Sequence, residues 1–256
     1  MPDLLIRKLE QFTRLSALDK SALDAAAGEK RRRIGPREDI IREGDNPGQV
    51  NLILDGWACR YKQLRDGRQQ IISFFLPGDL CDTHVHVLRR MDHSIGALTP
   101  VTFAEISRET LARVTAEHPR ITQALWWDTL VAAAIQREWT VNLGRRIAAE
   151  RLGHLLCEIF IRLRGVGLTE GHSCVLPVTQ ADLGDAMGLS NVHINRTLQE
   201  LRGSGLIVLK GRQLTIPNLN ALMRDSLFNP NYLHLDRVGR HLDANEASSQ
   251  VSSGPA

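Results

Sequence analysis

The chain has 256 residues, 43% of them hydrophobic and 24% charged, with a formal net charge of +3, an ordinary globular composition with room for two modest domains, each with its own core. The slightly basic balance permits a nucleic-acid partner without demanding one. No apolar run approaches the roughly 18 residues of a membrane helix, and acids interrupt the short apolar start MPDLLIRKLEQF, so it is no signal peptide.

Cytoplasmic localisation is therefore the expectation. Cys59, Cys81, Cys157 and Cys174 are scattered and form no C-x-x-C pair, which argues against a disulfide framework and a structural zinc. Buried, inert thiols are the usual reading of such cysteines, and one redox-sensing cysteine is the alternative.

Residues 4–28 read as one or two short amphipathic helices with Leu4, Leu5, Leu9, Phe12, Leu15, Leu18 and Leu23 as their apolar set. The run Lys30-Arg31-Arg32-Arg33 offers an anion site, but such runs more often lie on a solvated strand face. From Ile34 to Ile106 short β-prone runs alternate with glycine turns such as Asp55-Gly56, Asp66-Gly67 and Pro77-Gly78-Asp79. Strands are predicted at Val50–Leu54, Trp57–Gln63, Gln70–Leu76 and Thr102–Ile106, a spacing that suggests a sandwich or barrel. His84 and His86 share one side of a strand by their i, i+2 spacing, and with His93 they are compatible with a metal or haem site. Polar or satisfied core histidines are the commoner case, and no metal is assigned.

His118-Pro119 opens a long helix, with proline at its first turn. Ile121, Leu125, Ala132, Ile135 and Trp139 follow broken heptad spacing, with Asp128 in the gap. Trp126, Trp127, Leu130 and Val131 widen the apolar face, so the helix is expected to touch both its own domain and a partner. A core helix within a monomer is the alternative. Gly144 marks the expected hinge, followed by a helix from about Arg145 to Arg164, a loop over Gly165–His172 and a strand around Cys174–Leu176.

The stretch VTQADLGDAMGLSNVHINRTLQELRGSGLI, Val178 to Ile207, reads as two helices joined by a tight turn. Thr179 with Asp182 forms an approximate capping box, Gly188 stops the first helix, and Ser190 caps the second. Ile194, Leu198 and Leu201 form the buried stripe of that second helix. On its other side Val192, Asn195, Arg196 and Gln199 share a face, flanked by Asn191 and His193. Asn and Gln can pair bidentately with adenine, Arg with guanine, and an apolar side chain can touch a thymine methyl. LIVLKGRQLTI then reads as a hairpin with Lys210 and Arg212 at its tip, where they can meet phosphate together with Thr179 and Ser190. Asn218–Phe228 can form a closing helix, and a polar tail follows.

The motifs TQADLGDAMGLS, HINRTLQEL and GSGLI closely resemble the DNA-binding end of the Crp–Fnr superfamily of bacterial transcription regulators. Independently, IIREGD, VNLILDGWACRYKQLRDGRQQIISFFLPGDL and FAEI are similar to the β-roll sensor domain of the same superfamily. The resemblance implies an α+β protein: a cyclic-nucleotide-binding-like β-roll with N-terminal helices at 1–117, a dimerisation helix at 118–143, a winged helix-turn-helix at 144–228 and a partly disordered tail at 229–256. It implies a homodimer that reads a palindrome in double-stranded DNA and touches RNA polymerase, with Leu125, Asp128, Ala132, Ile135 and Trp139 on the dimer helix. Asp128 in such a seam would be an unpaired carboxylate unless something satisfies it, a place from which to set register or contact an effector.

In the effector pocket, Gly78, Asp79 and Leu80 stand where cyclic-nucleotide-binding members carry G-E-L. His93 and Ser94 stand where those members carry R-S or R-T. Loss of that arginine removes a permanent charge and a bidentate phosphate fork, so cyclic AMP is not the expected effector. Some Fnr-like members hold an iron–sulfur cluster on N-terminal cysteines, but none precedes Cys59 here, and the cluster is not expected. Both main branches of the family place glutamate where this chain has Val192, so neither well-known half-site should be copied. A regulatory protein whose helix pair docks a protein is the competing class. Catalysis is not expected, because no nucleophile–base pair, phosphate-binding glycine loop or metal triad is present in the sequence.

Overall fold

The computed structural model describes residues 3–83 and 89–235. His84 and His86, read above as metal candidates, lie outside the described residues, as does the tail from 236.

Two helices open the chain, α1 (Asp3–Leu9) and α2 (Ala17–Gly28), the second capped by Ser16 in a reciprocal box with Asp19. Leu18 is exposed rather than part of the core, and Ile6 is buried in the predicted set's company. Eight strands follow: β1 (Arg31–Ile34), β2 (Asp39–Ile41), β3 (Gln49–Asp55), β4 (Ala58–Gln63), β5 (Gln69–Phe75), β6 (Leu80–Cys81), β7 (Ser94–Ala97) and β8 (Val101–Ser107). They form two antiparallel sheets, ordered β1-β8-β3-β6 and β2-β7-β4-β5. The four predicted strands match β3, β4, β5 and β8 to within a residue or two at each end. The basic run sits on β1 with Arg31, Arg32 and Arg33 exposed, and Lys30 and Arg32 pair with Glu105, so it is a solvated strand face.

Ser107 caps α3 (Arg108–Glu117), a helix that the sequence reading passed over. Then α4 (Pro119–Arg145) runs unbroken through Gly144, where a hinge was expected, and the break between α4 and the next helix falls at Arg146-Ile147, where the backbone turns extended. Next come α5 (Ala148–Gly165), β9 (Thr169–Glu170), β10 (Ser173–Val175), α6 (Gln180–Met187), α7 (Asn191–Gly203), β11 (Val208–Lys210), β12 (Gln213–Thr215) and α8 (Leu219–Asp225). The loop predicted over Gly165–His172 contains β9, which completes a sheet ordered β11-β12-β10-β9. Asn218 caps α8, and a 3-10 turn (Pro230–Leu233) follows, with Leu233 buried.

The long helix corrects the sequence reading. Leu125, Asp128, Ile135 and Trp139 are buried within the chain, and only Ala132 of the five predicted seam residues is exposed. The exposed stripe is Trp126, Leu130, Ala133, Arg137 and Val141, at heptad-like spacing, with Trp126 at 65% and Leu130 at 56% exposure. The helix carries apolar residues on two sides, and periodicity cannot say which side meets its own domain. Asp128 is satisfied within the chain, its carboxylate 2.7 Å from Lys8 of α1.

One apolar core fills the roll together with α1–α3 and the start of α4. The second core is shared. Leu152, Leu156, Leu183, Ile194 and Leu214 of the C-terminal half join Trp57, Ile71 and Phe74 of the roll and Trp139 of α4. The two halves therefore do not have wholly separate cores.

Candidate DNA-reading surface and effector cavity

The helix pair is built by its caps. Thr179 Oγ1 accepts from Asp182 N at 3.2 Å and donates to Asp182 Oδ2 at 2.8 Å, while Thr179 N donates to the same carboxylate oxygen, a complete capping box. Gly188 takes φ +65, the left-handed end that glycine allows without a Cβ penalty. Ser190 Oγ then accepts from His193 N at 3.3 Å and starts α7. Ile194, Leu198 and Leu201 are buried as predicted, and Thr197 joins them by donating its hydroxyl to His193 O.

The opposite face is open. Asn191, Val192, Asn195, Arg196 and Gln199 are exposed, with Val192 at 81%, while His193 is half-buried at the edge of the row. Asn195 Nδ2 donates to Gln180 Oε1 at 3.4 Å, which holds it beside the first turn of α6. The sequence reading missed Gln180, although an exposed amide at a helix start was the available signal. Lys210 and Arg212 are exposed around Gly211, at the β11–β12 turn. Thr179, also exposed, already commits its hydroxyl proton to Asp182, whereas Ser190 keeps its proton for an outside acceptor.

A cavity of about 360 Å³ lies between the roll, α1, α4 and α5. Of the five predicted pocket residues, Asp79, Leu80 and His93 line it. Gly78 does not: it turns at φ +95 against α1, where a Cβ would come 2.9 Å from the Leu4 backbone. Ser94 is also elsewhere, its Oγ accepting from Glu43 N at 2.9 Å. The turn amides are spent internally, Gly78 N on Ile53 O and Asp79 N on Leu76 O, so they form no phosphate cradle. Arg89 and Arg90 are exposed and outside the lining.

In place of the missing arginine stands an ion-paired cluster. His93 lies 2.8 Å from Asp82 through Nε2 and 2.7 Å from Asp92 through Nδ1, and Arg60 of β4 pairs with the same Asp82. Burial would raise the Asp82 carboxyl, but His93 and Arg60 together hold it below the usual carboxylate range. A second cluster joins the halves. Asp79 lies 2.8 Å from Lys8 and 2.7 Å from Arg162 of α5, and Arg162 also reaches Glu158. Burial pushes the Glu158 carboxyl up, although Tyr232 and Trp139 both donate to it.

Burial pushes the thiols of Cys59 and Cys157 up to about 12 and that of Cys174 to about 11, and raises Cys81 well above its ordinary value. The thiolate is the reactive form, so the geometry favours inert thiols over a redox sensor. Among the described residues no group of three His, Cys, Asp or Glu side chains could hold a metal ion. Among them also, no helix is long and apolar enough to cross a membrane.

Comparison with known proteins places both halves. Residues 31–118 match the cyclic nucleotide-binding domain, and residues 150–225 match the Crp-like helix-turn-helix domain. The nitrogen fixation regulation protein FixK of Bradyrhizobium diazoefficiens is 29% identical over 74% of this chain and 81% of its own. The transcriptional activator protein FnrL of Cereibacter sphaeroides is 27% identical over 69% of this chain and 72% of its own. The solved structure of FixK2 from Bradyrhizobium japonicum superposes with a TM-score of 0.68 at 26% identity, covering 76% of this chain and 96% of that one. These relatives are transcription regulators, not enzymes. With a β-rich cyclic-nucleotide-binding-type domain, a long connecting helix and a helix-turn-helix backed by a small sheet, the chain belongs to the Crp/Fnr family of DNA-binding transcription regulators.

Proposed function

We propose that the protein works as a two-fold dimer that reads a palindromic site, under control of a sensor that does not take cyclic AMP. The observation that carries this reading is the exposed row Val192, Asn195, Arg196 and Gln199 on a fully capped helix. Lys210 and Arg212 at the wing, with Ser190 at the positive end of α7, are suited to phosphate. The exposed stripe of α4 supports pairing about a two-fold axis, which sets half-sites about 34–36 Å apart. The paired state of Arg60 and the occupied turn amides support an effector other than a cyclic nucleotide. Activation, the role that FnrL's name carries, would bring in RNA polymerase as a further partner.

Selection of bound duplexes from a random DNA pool by the purified protein tests the proposal. A two-fold symmetric site is expected, and Arg196→Ala should lose about 1–3 kcal/mol of discrimination at one base pair of each half-site. Val192→Glu should move the preferred base at its position toward cytosine, whose N4 donates to a carboxylate. An Arg196→Ala variant that selects the same site with equal affinity removes the assignment of α7 as the reader.

A further inference from the structure

The cavity has a charge pattern that the sequence did not reveal. Three cations line it, Lys8, Arg60 and Arg162, together with three carboxylates, Asp79, Asp82 and Asp128. Every cation is already engaged. Lys8 bridges Asp79 and Asp128, Arg162 bridges Asp79 and Glu158, and Arg60 holds Asp82. Asp92, on the far side of His93, adds further negative charge. An entering anion would therefore meet no uncompensated positive charge and would have to break a buried pair to gain one.

The rest of the wall is largely apolar, with Phe12, Phe74, Val131, Ile135, Val166 and Leu233 facing the space; Ser73, Gln11, Thr83 and Thr129 add neutral polar groups, and His93 is held between Asp82 and Asp92. At about 360 Å³ the cavity is at the small end of the range for small-molecule sites, ~300–1,000 Å³. Part of this wall lies outside the two segments matched by the family models: Lys8, Gln11 and Phe12 come from α1 and the segment just after it, and Leu233 and Leu235 from the 3-10 turn after α8 and just beyond it. The site is thus not the phosphate-binding part of the roll alone.

We propose that this cavity binds one small, uncharged, largely apolar molecule, held by the walls that α1 and the C-terminal turn contribute. This deepens the regulator reading and rests on it for the consequence of binding. An occupant touches the Asp79 turn of the sensor, α4 and Arg162 of α5 at once, so it bears on the contact that ties the sensor to the DNA-binding half.

The test uses two fluorescent probes with the same ring system, uncharged N-phenyl-1-naphthylamine and its sulfonate, 1-anilinonaphthalene-8-sulfonate, titrated into the full chain. The uncharged probe is expected to bind saturably, one per chain, about tenfold or more tighter than the sulfonate, and without displacement by cyclic AMP. Ala132→Trp, at an exposed α4 residue that also lines the cavity, should weaken the uncharged probe by about tenfold or more. Asp82→Asn removes the carboxylate from Arg60 and should strengthen sulfonate binding severalfold. Asn suits that position because Asp82 has φ +56. Equal or tighter sulfonate binding by the native protein, displacement by cyclic AMP, or an unchanged sulfonate affinity in Asp82→Asn overturns the proposal, as does full probe binding by a folded Ala132→Trp. DNA selection without probe is scored separately. Probe binding by a protein that selects no DNA overturns the regulator reading alone, and site selection by a protein that binds neither probe overturns the cavity alone.

Discussion

Single residues in this protein are governed by what buries them. His154 on α5 is fully buried, with its ring stacked on Tyr232 and packed against Phe228, and Nε2 3.3 Å from Glu138. Burial, with help from the Arg146 guanidinium, lowers its pKa to about 3. A histidine depressed in the folded state is protonated first in the unfolded chain, so its contribution is complete above about pH 6.5 and is lost as pH falls toward 3. Unfolding free energy should drop by about 2 kcal/mol between pH 8 and pH 5 on this account, above the range where most carboxylates titrate. Urea titration at both pH values checks it, and His154→Leu should abolish that share of the difference. Nothing in the local pattern of GHLLCEIF revealed this. A lone histidine in an apolar helix reads the same whether it is paired, hydrated or enclosed between rings.

At the scale of elements, local signals were reliable wherever backbone chemistry is local. Thr179, Gly188 and Ser190 were legible as caps because an N-cap or a left-handed end needs only neighbours within a turn. The same locality failed on α4. Two apolar stripes wind around one helix, and the one chosen from spacing, Leu125 to Trp139, is the one its own domain covers. The outward stripe leads to a prediction: Leu130→Glu should leave the fold intact, since the side chain is already 56% exposed. It should turn a dimer into a monomer by light scattering and lower affinity for a full palindrome while a half-site is bound as before. A Leu130→Glu protein that stays dimeric removes this stripe as the seam.

Across the whole molecule, the sensor and the DNA-binding half are joined by polar ties as well as by a shared core. Arg37 of the roll lies 2.8 Å from Asp182, the residue that completes the α6 cap, and Gln70 donates to Ala186 O at 3.1 Å. Asp79 holds cations from both ends of the fold, Lys8 and Arg162. Its replacement by Asn would take one carboxylate from each of two cations, leaving Lys8 on Asp128 and Arg162 on Glu158, whereas Asp128→Asn takes one carboxylate from Lys8 alone. Asp79→Asn is accordingly expected to destabilise the fold more than Asp128→Asn, and by less than the roughly 3–5 kcal/mol of a buried charge left with no partner. Comparison of urea midpoints and slopes decides the order, and an equal loss for both would mean that Asp79 does not bridge the two halves.

By itself the amino-acid sequence determined four strands of the roll, the long helix, the caps and turn of the helix pair, and the exposed row from Val192 to Gln199. It also marked the place where an expected phosphate-binding arginine is replaced by His93. All of these depend on residues within about two turns or one hairpin of each other, where hydrogen-bond reach and side-chain period settle the outcome. Only the tertiary structure decided which face of α4 is outward, that Asp128 has a partner, and that the pocket's cations are all paired and its wall is shared by α1 and the turn after α8. Lys8, Asp79, Asp128 and Arg162 are distant in sequence, and no local period relates them. Their charges cancel only because packing the roll, the long helix and α5 around one space brings them within 3 Å of one another's partners.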